Sequence, residues 1–114
     1  MRRAHPATVT RSASRFAALG AEPRLEILRL LLSAHPDGMV VGEILEELGI
    51  PASTLSHYLE KLKIVALVTV RRDRQFLWYA ADTEALRELL GFLYEECCTR
   101  SRAVAPEAIV QLTK

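Results

Sequence analysis

Two short amphipathic helical patterns with only Gly49-Ile50-Pro51 between them constrain this chain more than any other part of its sequence. The first, Gly42 to Leu48, sets Ile44, Leu45 and Leu48 on one face and Glu43, Glu46 and Glu47 on the other, with Gly49 placed to stop it. The second runs from about Ala52 to Lys63 and carries Leu55, Leu59 and Leu62 at spacings of four and three, the period of a helix with one buried side. Its other face reads Ser53, Ser56, His57 and Glu60, flanked by Thr54 and Lys61. Two helices joined this tightly must cross at a steep angle, which is the geometry of a helix-turn-helix.

After Leu67 the apolar period falls from helical to about two. Val68 and Val70 alternate with Thr69, and Phe76, Trp78 and Ala80 alternate with Leu77 and Tyr79. Such a pattern predicts a β-hairpin with Arg71, Arg72, Asp73 and Arg74 at or near its tip. Upstream, a first helix is expected over Ser12 to Leu19, closed by Gly20 in a positive-φ position, as glycine allows. A second begins near Pro23, with Leu25, Leu28 and Leu32 in line beside Ile27 and Leu31, a stripe wide enough for a central buried helix. His35-Pro36-Asp37-Gly38 reads as a turn and Met39-Val40 as a short strand. Asp82 suits the N-cap of a last helix on which Leu86, Leu89, Leu90, Leu93 and Cys97 share a stripe, with Gly91 small enough to admit a second helix. The expected fold is mainly α with a small β-hairpin, a winged helix-turn-helix in residues 12–98, preceded by a flexible basic arm (1–11) and followed by a tail (99–114) with a short apolar run at Ala108 to Val110.

With 114 residues, half of them hydrophobic, the chain is sized for one core and one domain. No apolar run approaches the roughly 20 residues of a membrane span, and no apolar segment of a secretory signal follows Met1-Arg2-Arg3. A cytoplasmic location without membrane contact is the expectation. Net charge is only +1, but Arg2, Arg3, Arg11, Arg15 and Arg24 cluster at one end and Arg71, Arg72 and Arg74 at the hairpin. Local patches rather than the total set what a polyanion feels. No grouped nucleophile, base and orienter and no phosphate-binding loop points to an enzyme.

The run from Phe16 to Leu28 (Phe-Ala-Ala-Leu-Gly-Ala-Glu-Pro-Arg-Leu-Glu-Ile-Leu) resembles the opening helices of the arsenic-repressor (ArsR) family of winged-helix regulators. The resemblance continues through Val41-Gly42-Glu43-Ile44 and through Ser53-Thr54-Leu55-Ser56-His57-Tyr58-Leu59, which is similar to that family's recognition helix, and it extends to about Cys98. It departs at Ala66, where the family usually has glycine. The resemblance implies a homodimer joined through its first and last helices, with Leu86, Leu90 and Leu93 at the interface, that binds double-stranded operator DNA as a repressor. Hydroxyls and a histidine ring on one helix face are suited to base edges and phosphates in a major groove. Ser53, Thr54, Ser56, His57 and Lys61 are therefore the expected DNA contacts, joined by Arg71, Arg72 and Arg74 from the hairpin.

The chain's two cysteines, Cys97 and Cys98, are adjacent. Neighbouring Cα atoms about 3.8 Å apart lie below the roughly 4.4–6.8 Å of ordinary disulfides, so a direct bond would be strained. Two thiolates can still converge on one soft ion. Glu95-Glu96-Cys97-Cys98 resembles the last-helix site of family members that sense arsenic or antimony, which implies As(III), methyl-As(III) or Sb(III) as inducer and no required cofactor. The family's Cys-Val-Cys-type motif is absent between Met39 and Ile44, and no third cysteine follows between Thr99 and Ala103. Two protein sulfurs leave one arsenic substituent free, which suits a methylated arsenical. Zinc fits poorly, since the last helix has no histidine and a tetrahedral site needs four ligands. The alternatives are a regulator of the same family sensing redox state, sulfide or another metal, and a winged-helix module for protein contact.

Overall fold

The computed structural model describes residues 4–101. The chain order is α1 (Pro6–Leu19), α2 (Glu22–Ser33), β1 (Met39–Val40), α3 (Val41–Leu48), α4 (Ala52–Ile64), β2 (Val68–Asp73), β3 (Phe76–Ala81) and α5 (Thr83–Tyr94). Helices α3 and α4 form the helix-turn-helix, and the three strands make an antiparallel sheet in the order β1-β3-β2. The tail segment Ala108 to Val110, Arg2 and Arg3 lie outside the described residues.

Each element follows from local chemistry. Pro6 occupies the first turn of α1, where its missing N–H costs nothing, and His5 Nδ1 accepts a hydrogen bond from the Ala7 N–H at 3.1 Å. Helix α3 stops at Gly49, whose φ of +62° is left-handed, with the Gly49 N–H donating to Leu45 O. Gly38 (φ +85°) admits the close pass of β3, because a Cβ there would lie 2.1 Å from Tyr79 O. Asp82 caps α5 by accepting from the Ala85 N–H at 3.0 Å.

The core sits where α2, α3, α4 and the base of the hairpin meet. Ile27, Leu31, Ile44, Leu55, Leu62 and Leu67 are fully buried there, each worth about 1.5–3 kcal/mol of apolar transfer. Because Leu55, Leu59 and Leu62 all point inward, the opposite side of α4 must face out. The helix-turn-helix is thus a rigid mount for a polar stripe.

The structure corrects four expectations. Helix α1 begins at Pro6, so residues 6–11 of the expected arm are helical; the weak apolar pattern there hid a helix that its cap announces. Gly20 does end α1, but at φ −72°, with its N–H on Ala17 O, so no left-handed turn is needed. In α2 the buried line is Ile27, Leu28 and Leu31, while Leu25 is 44% exposed; the neighbours cover a narrower arc than the leucines occupy. Helix α5 ends at Tyr94, before Cys97, which lies in the turns that follow.

Candidate nucleic-acid interface

The outer side of α4 presents Ser53, Ser56, His57 and Lys61, all exposed, with Thr54 half-buried at its edge. Ser53, His57, Lys61 and Ile64 follow one another at spacings of four, four and three, one line along the helix. Lys63 pairs with Glu60 at 3.3 Å, one helical turn apart. Among the described residues, Lys61, Arg71, Arg72 and Arg74 join no ion pair. Their charge is free for a polyanion. The three acids of α3, Glu43, Glu46 and Glu47, are also exposed and would repel a polyanion, whereas these unpaired cations are on α4 and the hairpin.

The hairpin distributes its arginines in a way the sequence pattern had merged. Register pairs Val68 with Ala81, Val70 with Tyr79 and Arg72 with Leu77, and in alternation Thr69 with Ala80, Arg71 with Trp78 and Asp73 with Phe76. Alternate pairs face opposite sides of a sheet. Arg72 therefore shares the face of buried Val68, extended beyond the core, whereas Arg71 is on the other face with its guanidinium carbon 5.0 Å from the Trp78 ring centroid, a cation–π contact that stiffens it. Arg74 is at the turn with φ +59°.

Two of the chain's non-glycine residues in left-handed backbone bear on this surface: Arg74, and Ala66 (φ +60°) at the exit of α4. A Cβ in that region costs about 1 kcal/mol or more. Arg74→Gly and Ala66→Gly should therefore each raise stability by about 1 kcal/mol. Arg74→Gly should at the same time weaken binding to every duplex and flatten its salt dependence, whereas Ala66→Gly should leave both unchanged. Thermal melts and anisotropy titrations at several salt concentrations check this. Loss of stability in either variant contradicts the strain argument.

Arg15 and Arg24, read in the sequence only as part of a basic cluster, have structural work. Arg15 is 7% exposed, its Nε donating to Val65 O just past α4 at 2.9 Å and its terminal nitrogen to Glu88 of α5 at 3.5 Å. Arg24 Nε donates to Ala18 O at 2.7 Å, and its guanidinium carbon is 5.9 Å from the Tyr58 ring centroid. The helical spacing of Ser12, Arg15 and Ala18 on α1, all three buried, was the available signal for the first.

Of the expected interface leucines, Leu86 is half-buried against its own core, while Leu90 and Leu93 are 36% and 58% exposed. Tyr94 and, on α1, Val9 add exposed apolar surface. Among the described residues, nothing comes within 4 Å of where a Cβ on Gly91 would lie, so none of helices α1 to α4 uses that space. Between α1 and α5 a cavity of about 440 Å³ is lined by Arg11, Arg15, Glu88, Gly91, Phe92 and Glu95 among others.

Beyond α5, Cys97 and Cys98 are half-buried with their Sγ atoms 3.2 Å apart. On a continuous helix neighbouring side chains diverge by about 100°. Here the Cys97 N–H closes a turn on Tyr94 O at 2.8 Å and Cys98 is left-handed at φ +64°, which turns the two sulfurs toward each other. The hydrogen bond with Cys98, followed by desolvation and the neighbour's charge, raises the Cys97 pKa above its ordinary value. Among the described residues no group of three or more Cys, His, Asp or Glu is placed to hold a metal ion, and no helix is long and apolar enough to cross a membrane.

Residues 19–71 match the protein family described as a helix-turn-helix domain. The chain is 32% identical over 84 residues to the nodulation protein NolR of Rhizobium meliloti, covering 74% of this chain and 69% of NolR. It is 30% identical over 78 residues to the transcriptional repressor SdpR of Bacillus subtilis, covering 68% and 83%. Among solved structures, an ArsR-like transcriptional regulator from Rhodococcus sp. RHA1 superimposes with a TM-score of 0.69 at 26% identity, over 78% of this chain and 81% of that one. A homodimeric winged helix-turn-helix DNA-binding domain from Mycobacterium bovis shares the fold, with a TM-score of 0.63 at 24% identity over 92% and 100%.

Proposed function

The chain belongs to the ArsR family of winged helix-turn-helix transcriptional regulators, which bind DNA, and from that premise we propose a cytoplasmic homodimeric repressor whose operator is released by a trivalent arsenical. The observation that carries the DNA reading is the exposed line of Ser53, Ser56, His57 and Lys61 on a helix whose other side is locked into the core. Two such helices, one per protomer, enter successive major grooves of a pseudo-palindromic site, and the hairpin reaches the flanking backbone. Leu90, Leu93 and Tyr94 form the contact between protomers.

The inducer reading rests on the paired sulfurs. With bonds of about 2.3 Å to a common atom, as in a zinc–thiolate bond, a separation of 3.2 Å corresponds to an angle of about 90° at that atom. Arsenic(III) is pyramidal and three-coordinate, so it can accept both sulfurs and keep one further substituent. Methylarsenous acid would react as CH3As(OH)2 with two thiols to give one dithiolate and two waters, the thiol protons leaving with the hydroxides. One arsenic–methyl bond remains, and no third protein sulfur is needed. Antimony(III) has the same valence and geometry.

Ser56→Ala and His57→Ala should each cost about 1–3 kcal/mol of operator binding, roughly 5- to 150-fold, and relax the preference at one base position per half-site. The operator is obtained by selection from a random duplex pool, and anisotropy with single-base variants measures the effect. Unchanged affinity and preference in both variants would remove α4 from the reading role.

A further inference from the structure

At its C-terminal end the polar line of α4 runs into a second cavity, of about 330 Å³, between the end of α1, the start of α2 and the end of α4. Its lining joins two cations that come from different helices, Arg24 and Lys61, to Ser14 and to the apolar Ala17, Ile64 and Val65. Arg24 is held from behind, its Nε on Ala18 O and its guanidinium over Tyr58. Among the described residues its two terminal nitrogens make no bond to the protein. Lys61 likewise has no carboxylate partner among the described residues. Ile64, next on the same line, is 71% exposed.

Arg24 and Lys61 thus line one concavity whose other walls are mostly apolar. A phosphodiester flanked by deoxyribose has the matching chemistry: a charged, fork-shaped pair of oxygens with apolar sugar edges on either side. The cavity is continuous with the line that reads base edges, so a duplex seated on Ser53 and His57 brings its groove wall here. We infer that Arg24 and Lys61 together hold one operator phosphate per protomer, extending the DNA interface from the helix-turn-helix onto the α1–α2 junction. The inference rests on the DNA reading of α4 given above. Phosphate contacts of this kind fix register on the duplex and carry no base preference.

The test replaces single phosphates of each half-site by uncharged methylphosphonates and maps which positions weaken the parent. Arg24→Gln keeps a donor for Ala18 O, and Lys61→Gln alters only an exposed side chain. The double variant should lose sensitivity at one backbone position in each half-site and keep all others, and its slope of log affinity against log salt should fall by about 0.9 per protomer. Lys61→Gln alone should reduce sensitivity at that same position, which covers the case in which Arg24→Gln fails to fold. A parent that binds no duplex overturns the DNA reading and this inference with it. A parent that binds, with a double variant that keeps the full methylphosphonate map and the parental slope, overturns this inference alone. The same unaltered map, with a thermal shift from inorganic phosphate that only the parent shows, would assign the cavity to a free anion instead.

Discussion

Leu93→Glu should sediment as a monomer and lose operator binding by about 100-fold or more, while each protomer keeps its fold. The side chain is 58% exposed, so the protomer loses almost no packing, and in a lone protomer the new carboxylate stays in water. Across a two-fold interface the same residue meets its own apolar counterpart region, and burying an unpaired carboxylate there costs several kcal/mol. DNA binding falls with it because a dimer gains its second half-site at an effective concentration that monomers lack, worth about 10²–10⁴ in avidity. Leu90→Glu should act in the same direction, with some cost to the protomer, since Leu90 is only 36% exposed. Analytical ultracentrifugation, anisotropy on whole and half operators, and a circular dichroism melt separate these effects. A Leu93→Glu protein that remains dimeric would move the interface away from α5.

Cys97→Ser and Cys98→Ser should fold, dimerise and bind operator as the parent does, yet neither should release it with any arsenical. Serine nearly preserves the size of cysteine, and both residues lie beyond α5 rather than on α4 or the hairpin. Loss of either sulfur leaves at most one bond to arsenic. The whole inducer effect, a coupling of about 1–3 kcal/mol or 5- to 150-fold in operator affinity, should therefore vanish in each single variant. The parent should respond to methylarsenite at least as well as to arsenite, because the pair supplies two sulfurs and no third cysteine exists in the sequence. Titrations with arsenite, methylarsenite, antimonite, zinc and cadmium, each followed by operator anisotropy, test this. A normal arsenical response in both variants refutes the site, and release by peroxide but by no arsenical assigns the pair to redox sensing.

The helix-turn-helix was legible because its apolar positions repeat at helical spacing with almost no linker, which leaves one way to bury Leu55, Leu59 and Leu62. The hairpin was legible from its period of two. Its arginines were not resolved from one another, since adjacency in sequence means opposite faces in a strand: Arg71 and Arg72 diverge, and Trp78 takes the first. Arg15 was misread as surface charge because composition does not show that Val65 O, fifty residues on, supplies it with an acceptor. The family's preference for glycine at position 66 finds its physical reason in the left-handed φ of Ala66. For the cysteines, the sequence suggested that Cys97 continues the α5 stripe; the helix instead stops at Tyr94, and the left-handed Cys98 creates the 3.2 Å approach. That geometry depends on where a helix frays, which apolar periodicity does not report.

In this reading operator and arsenical binding are two ends of one equilibrium, and linkage requires each to weaken the other by the same factor. The direct measurement is the affinity of the dimer for methylarsenite with and without saturating operator, set beside its affinity for operator with and without saturating methylarsenite. Equal factors of about 5- to 150-fold are expected, falling to one in Cys98→Ser. Tight methylarsenite binding at Cys97 and Cys98 that leaves operator affinity unchanged would contradict it.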